Sequence, residues 1–296
     1  MRGRRSISFG ALSVISALAA LAMAPAAQAD TNLGTVAGLT YIRDVSQPEP
    51  SDFALTAKAA CPAGTHVIGG GARPFDSELN VPYEFWLNRT AAYDGPDPDG
   101  TPDDGWIGRG FNWQGGSKRL VVSAICFAGE VRYATKSVSG LPRKGMTTQV
   151  PCPAGTHVAG GGASLSGNAE RARLHTSYPY DSGDADQQRD DGWLARAYNS
   201  GGGTKTLTVQ AMCVGFEPRY VASTATGNVE AVSPSCPAGT HATGGGGKTS
   251  DSRAQGWLNG LLPFAAAAGP PDDGFTAVVS RHNPSATLTG TAICKT

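Results

Sequence analysis

Apolar and polar residues alternate along much of this chain, with a period of two rather than 3.6. In Leu207-Thr-Val-Gln-Ala-Met-Cys213, Leu207, Val209, Ala211 and Cys213 fall on one side while Thr208 and Gln210 fall on the other. That is the mark of a strand with one buried face. Leu120-Val-Val-Ser-Ala-Ile-Cys126 and Leu288-Thr-Gly-Thr-Ala-Ile-Cys294 read the same way. A second kind of strand alternates small residues with large ones: Gly108 and Gly110 with Arg109 and Phe111, and Ala195 and Ala197 with Arg196 and Tyr198. Turn-forming clusters interrupt these runs. Asn112-Trp-Gln-Gly-Gly, Asn199-Ser-Gly-Gly-Gly and Asn283-Pro-Ser stand just before the three Cys-ended strands and read as hairpin connections. The pattern predicts about five or six short strands in each third of the chain and almost no helix.

The thirds are copies of one another. Cys61-Pro-Ala-Gly-Thr-His-Val-Ile-Gly-Gly-Gly71 recurs as Cys152-Pro-Ala-Gly-Thr-His-Val-Ala-Gly-Gly-Gly162 and as Cys236-Pro-Ala-Gly-Thr-His-Ala-Thr-Gly-Gly-Gly246. Each copy is preceded by a tyrosine-led segment (Tyr41, Tyr133, Tyr220). It is followed by Asp103-Asp104-Gly105-Trp106, Asp190-Asp191-Gly192-Trp193 or Asp272-Asp273-Gly274-Phe275, and then by the Cys-ended strand. Four landmarks in a constant order define three units, 40–130, 131–217 and 218–296, after a segment 30–39. The connections between units are too short for flexible linkers. The expected fold is therefore all-β: three homologous antiparallel units in a pseudo-threefold arrangement, as a β-prism first and as three abutting β-sandwiches second. Glycine weakens a strand unless something approaches closely. The triplets thus predict close backbone packing or a bulge, and no helix N-terminus follows them to make a phosphate cradle.

Residues 1–29 read as a signal peptide: Arg2, Arg4 and Arg5, an apolar stretch from Ala11 to Met23, then Ala27-Gln28-Ala29. Its apolar part is too short to span a bilayer, so no membrane anchor is expected. Removing it takes away three arginines and no acids, leaving 21 basic residues against 24 acidic ones. That balance offers no basic face for nucleic acid. In an oxidising compartment six cysteines read as three disulfides. The pairing that repeats with the sequence is Cys61–Cys126, Cys152–Cys213 and Cys236–Cys294.

Candidate chemistry recurs with the repeat. His66, His157 and His241 occupy one equivalent position, and converging on the axis they would form a three-imidazole metal site; bonded locally, each would stay within its own unit. The acidic loops offer Asp97, Asp99 and Asp103, and Asp184, Asp186 and Asp190, as calcium ligands, although Asp-Gly is also ordinary turn chemistry. Trp106, Trp193 and Phe275 are equivalent aromatics that would stack on a sugar, or else pack in the core, as would Trp86, Trp113 and Trp257. No nucleophile elbow or metalloprotease helix occurs. A hydrolase would have to draw on groups such as Asp104, His66 or His175.

Cys-Pro-Ala-Gly, Gly-Gly-Gly, Gly-Trp and the terminal Ala-x-Cys strand together resemble a repeat of exported bacterial proteins, actinomycete ones above all, and of some tail-fibre-like or collagen-associated proteins. The resemblance spans about residues 40 to 296 and implies a disulfide-closed extracellular β module used for surface contact. The third unit departs from it at Phe275 and in the spacing of Asn283. The expected function is that of a secreted, non-enzymatic binding protein for an extracellular or cell-surface glycan or protein. The alternative is a glycan-directed extracellular hydrolase with one active site, in one unit or in a cleft between units.

Overall fold

The computed structural model describes residues 30–75, 85–97, 99–113, 116–183, 188–227, 230–250, 256–280 and 285–296. The leader 1–29, Asp184, Asp186 and Asn283 lie outside the described residues. Within them the chain forms 19 strands and one short 3-10 turn at Ala169–Arg171. No described helix is long and apolar enough to cross a membrane.

After β1 (Thr31–Val36), the first unit supplies β2 (Leu39–Val45), β3 (Phe53–Ala60), β4 (His66–Phe75), β5 (Phe85–Tyr93), β6 (Gly105–Asn112) and β7 (Arg119–Phe127). The second supplies β8 (Arg132–Gly140), β9 (Lys144–Pro151), β10 (His157–Leu165), β11 (Ala172–Tyr180), β12 (Gly192–Asn199) and β13 (Lys205–Val214). The third supplies β14 (Arg219–Thr226), β15 (Ala231–Val232), β16 (His241–Thr249), β17 (Trp257–Phe264), β18 (Gly274–Ser280) and β19 (Thr287–Lys295).

Three antiparallel sheets result, and each is built from two units. Their strand orders are β1-β2-β7-β4-β17-β18-β15, β3-β6-β5-β10-β13-β8 and β14-β19-β16-β11-β12-β9. Every unit is thus divided. Three of its strands enter one sheet, three enter another, and the two halves pack face to face. The seams join β4 to β17, β10 to β5 and β16 to β11. The two architectures expected from the sequence coexist here: a sandwich within each unit, and three shared sheets around a pseudo-threefold axis. The disulfides pair as the repeat predicts, Cys61–Cys126, Cys152–Cys213 and Cys236–Cys294. Each staples two different sheets. In the chain-entropy view, closing loops with separations of 65, 61 and 58 residues stabilises by about 4 kcal/mol apiece.

One expectation is corrected. The segments after Asn112 and Asn199 are not hairpin connections, because β6 and β7, β12 and β13, and β18 and β19 lie in different sheets. Both strands of each pair aim their apolar faces at one interior from opposite sides. Alternation alone therefore cannot separate a hairpin from a crossover. The Asn112 amide donates to the Pro50 and Gly116 carbonyls, and the Asn199 amide to those of Leu141 and Gly203, tying each crossover down.

The glycine triplets hold the axis. A register shift falls just before the first glycine of each, between Val67 and Gly69, Val158 and Gly160, and Ala242 and Gly244. A β-carbon on Gly69 would strike the Thr243 carbonyl, one on Gly160 the Ile68 carbonyl, and one on Gly244 the Ala159 carbonyl. Each unit's backbone therefore presses on the next in a closed ring. The tyrosine landmarks latch the same ring: Tyr41 donates to the Ala242 carbonyl, Tyr133 to that of Val67 and Tyr220 to that of Val158, each at 2.7 Å.

Candidate functional site

The histidines and the Asp-Asp pairs, far apart in sequence, meet at one corner of each unit. His66 Nδ1 lies 2.5 Å from an Asp103 carboxylate oxygen, and His157–Asp190 and His241–Asp272 repeat that contact at 2.5 Å. The backbone reinforces it. Cys61 and Val67 N–H donate to the Asp104 and Asp103 carbonyls, and the other units repeat both bonds through Asp191 and Asp190 and through Asp273 and Asp272. The second aspartate of each pair holds the preceding loop: Asp104 accepts from Gly95 N–H, Asp191 from Ser182 and Asp273 from Ala266. The imidazoles are thus bonded within their own units and do not form a shared three-histidine site. Their side chains are 46, 33 and 24% exposed in chain order. Among the described residues no hydroxyl is hydrogen-bonded to an Nε2 of these rings. His175 stands elsewhere, in β11, with its ring 6.5 Å from that of Tyr198.

The aromatic landmarks also prove structural. Trp106, Trp193 and Phe275 are fully buried, each over the middle glycine of its own triplet: Gly70, Gly161 and Gly245. Rings with no exposed surface cannot stack on a sugar, so the expected binding role is corrected for all three. The Trp106 indole donates to Thr90 Oγ1 and the Trp193 indole to Ser177 Oγ, both at 2.9 Å. Trp86 and Trp257, from different units, stand 6.0 Å apart with the Arg173 guanidinium 4.1 and 4.5 Å from their rings. Both indoles are nearly buried, whereas Trp113 beside them is 40% exposed.

Of the acidic loops, the first is described. Oxygens of Asp97, Asp99 and Asp103 lie within 4.8 Å of one another, as do those of Asp94, Asp97 and Asp104. Four of these five groups already have bonds. Asp103 faces His66, Asp99 accepts from Thr101 N–H and Asp97 from Asp99 N–H. In the second loop Asp190 pairs with His157, while Asp184 and Asp186 lie outside the described residues.

Open clefts lie between units. The larger, about 520 Å³, crosses the seam of the second and third units and is lined by Tyr178, Arg189, Arg196, Lys248 and Thr289 among others. A smaller one of about 390 Å³ lies beside Phe127, Thr156 and Phe216. Sequence reasoning missed the larger cleft because its walls come from two units and meet only at a seam. Lys248 stands where the other copies carry Arg73 and Ser164, so a charge at that position was the available signal. Compared with known proteins, the chain matches no family model and no curated protein.

Proposed function

We propose that this chain is a secreted, non-enzymatic binding protein that engages an extracellular or cell-surface glycan or protein through a cleft between its units. One observation carries the reading. The repeated side chains that resemble chemistry are occupied in holding the frame, whereas the open cleft gathers Arg189, Arg196 and Lys248, none of which forms an ion pair among the described residues. Export is supported by the charged and apolar leader pattern of residues 1–29, by three disulfides, and by the resemblance to exported bacterial modules. The hydrolase alternative draws no support from the corners. There Asp104 is bonded to a backbone N–H, His66 to Asp103, and His175 belongs to another sheet.

Screening mature protein on a glycan array, beside hydrolysis assays on cell-wall and plant polysaccharides, tests this reading. Binding without turnover is expected. Turnover of any polymer, abolished by one substitution, would sink it. Calcium enters the reading as a stabiliser of the first acidic loop, through Asp97, Asp99 and Asp103. A higher melting temperature in millimolar calcium than in chelator, lost on Asp97→Asn, is the expected result; an unchanged melt removes the ion.

A further inference from the structure

The cleft between the second and third units draws positive charge from three separate elements. Lys248 comes from β16, Arg196 from β12 and Arg189 from the segment before β12; Asp181 is the carboxylate among the described lining residues. Strand register fixes how two of these cations stand. Thr176 is the cross-strand partner of both Arg196 and Lys248, and Lys248 is in turn the partner of Thr289. Directly opposite residues share a sheet face. Arg196, Thr176, Lys248 and Thr289 therefore form one rung, with the two cations about 10 Å apart at their backbones.

Among the described residues none of the three cations forms an ion pair. Their company is aromatic, with Lys248 Nζ 4.7 Å and the Arg189 guanidinium 5.5 Å from the Tyr178 ring centre. Burial, and then Arg189 and Arg196, push the Lys248 ammonium below its ordinary value. A bound anion relieves that repulsion. The other seams differ. The matching rung is Arg109, Arg89 and Ser164 at the first, where Arg109 donates to the Gly167 carbonyl. At the second it is Val278, Gly260 and Arg73, and there the Arg73 side chain lies over Gly260.

We propose that this cleft binds one segment of an anionic glycan, its sulfate, phosphate or carboxylate groups held by Arg196, Lys248 and Arg189. The proposal rests on the binding reading above and names the ligand class for the same site. A volume of about 520 Å³ lies within the range of small-ligand pockets. Ser250, exposed, and Thr287, half-buried, bring hydroxyls to the same cleft, and hydroxyls beside cations suit a chain that alternates sugar hydroxyls with anionic groups. A nucleobase would want an exposed ring, and Tyr178 is only 3% exposed beneath its cations.

The test is titration of mature protein with labelled sulfated, phosphorylated, uronate and neutral oligosaccharides of equal length, at low and high salt. Expected are one site per chain for at least one anionic oligosaccharide, weakening with salt, and a loss of at least about tenfold in the Arg196→Gln, Lys248→Gln double variant. An Arg89→Gln, Arg109→Gln variant should bind normally, with equal melting temperatures showing that both variants fold. Neutral oligosaccharides bound as tightly as anionic ones would overturn the charge inference and leave the binding reading standing. Inorganic sulfate competing at the same concentration as the oligosaccharide would reduce the site to a bare anion pocket and overturn the glycan. Binding of no glycan on this panel or on the array, together with turnover of a polymer, would remove both readings.

Discussion

At the scale of single residues the third unit is instructive, because its departure from the repeat is compensated. Phe275 has no indole N–H to satisfy, and its counterpart to Thr90 and Ser177 is Leu261. Hydrogen-bonding capacity is present or absent at both positions together, as a buried donor demands. Phe275→Trp alone should leave a buried N–H without an acceptor and cost about 1–3 kcal/mol. Adding Leu261→Thr should recover about 0.5–3 kcal/mol relative to the sum of the single changes, measured by denaturant unfolding. Strict additivity would show that the pair is uncoupled. The axial glycines make a harsher prediction. Gly160→Ala puts a methyl group into the Ile68 carbonyl and should cost about 3 kcal/mol or abolish folding. Gly202→Ala points into open space and should change stability by no more than about 0.5 kcal/mol.

At the scale of elements, each landmark has a mechanical duty. The Cys-Pro-Ala-Gly-Thr-His turn and the Asp-Asp-Gly turn form one bonded corner, the glycine strand carries the axis, and the tyrosine-led strand latches the neighbouring unit. The latch has a pH consequence. Burial, reinforced by Asp272 and Asp273, raises the Tyr41 hydroxyl well above its ordinary value; burial with Asp103 and Asp104 does the same for Tyr133. The folded state therefore holds protons that the unfolded state releases above about pH 10. The stability tied to these groups is fully present below that pH and is lost as pH rises beyond it. Phenolate absorbance from Tyr41 and Tyr133 should accordingly appear only with alkaline unfolding. Tyr41→Phe, Tyr133→Phe protein should lack that part of the titration, and phenolate signal from these residues in folded protein would contradict the latch.

At the scale of the whole molecule, sharing of sheets makes the three units interdependent. Removed from its neighbours, the second unit would leave β10 without β5 and β11 without β16, exposing two sheet edges and the axial face. Residues 131–217 expressed alone should show no cooperative thermal transition even with the Cys152–Cys213 bond formed. Limited proteolysis of the intact chain should release no independently stable third. A cooperative melt of the isolated unit would mean that the seams add little.

Composition and alternation were enough for the all-β class, the threefold repeat and the disulfide pairing, because each depends on local period or on spacing that recurs. The close packing at the glycine triplets was legible for the same reason: a strand gives up three successive side chains only where neighbours on both faces come too near to admit them, here backbone against the outer two glycines and an aromatic ring against the middle one. What alternation could not decide was which sheet each strand joins. An apolar face reads identically whether its strand turns back in a hairpin or crosses the interior, and Asn112 and Asn199 serve the crossing equally well. Whether Trp106 and Trp193 face solvent or core was likewise decided by tertiary packing, since a tryptophan suits either until its neighbours are placed. The cleft was the least legible feature. Arg196 and Lys248 lie 52 positions apart in the chain, belong to different units, and become neighbours on one rung only because β11 and β16 pair across a seam.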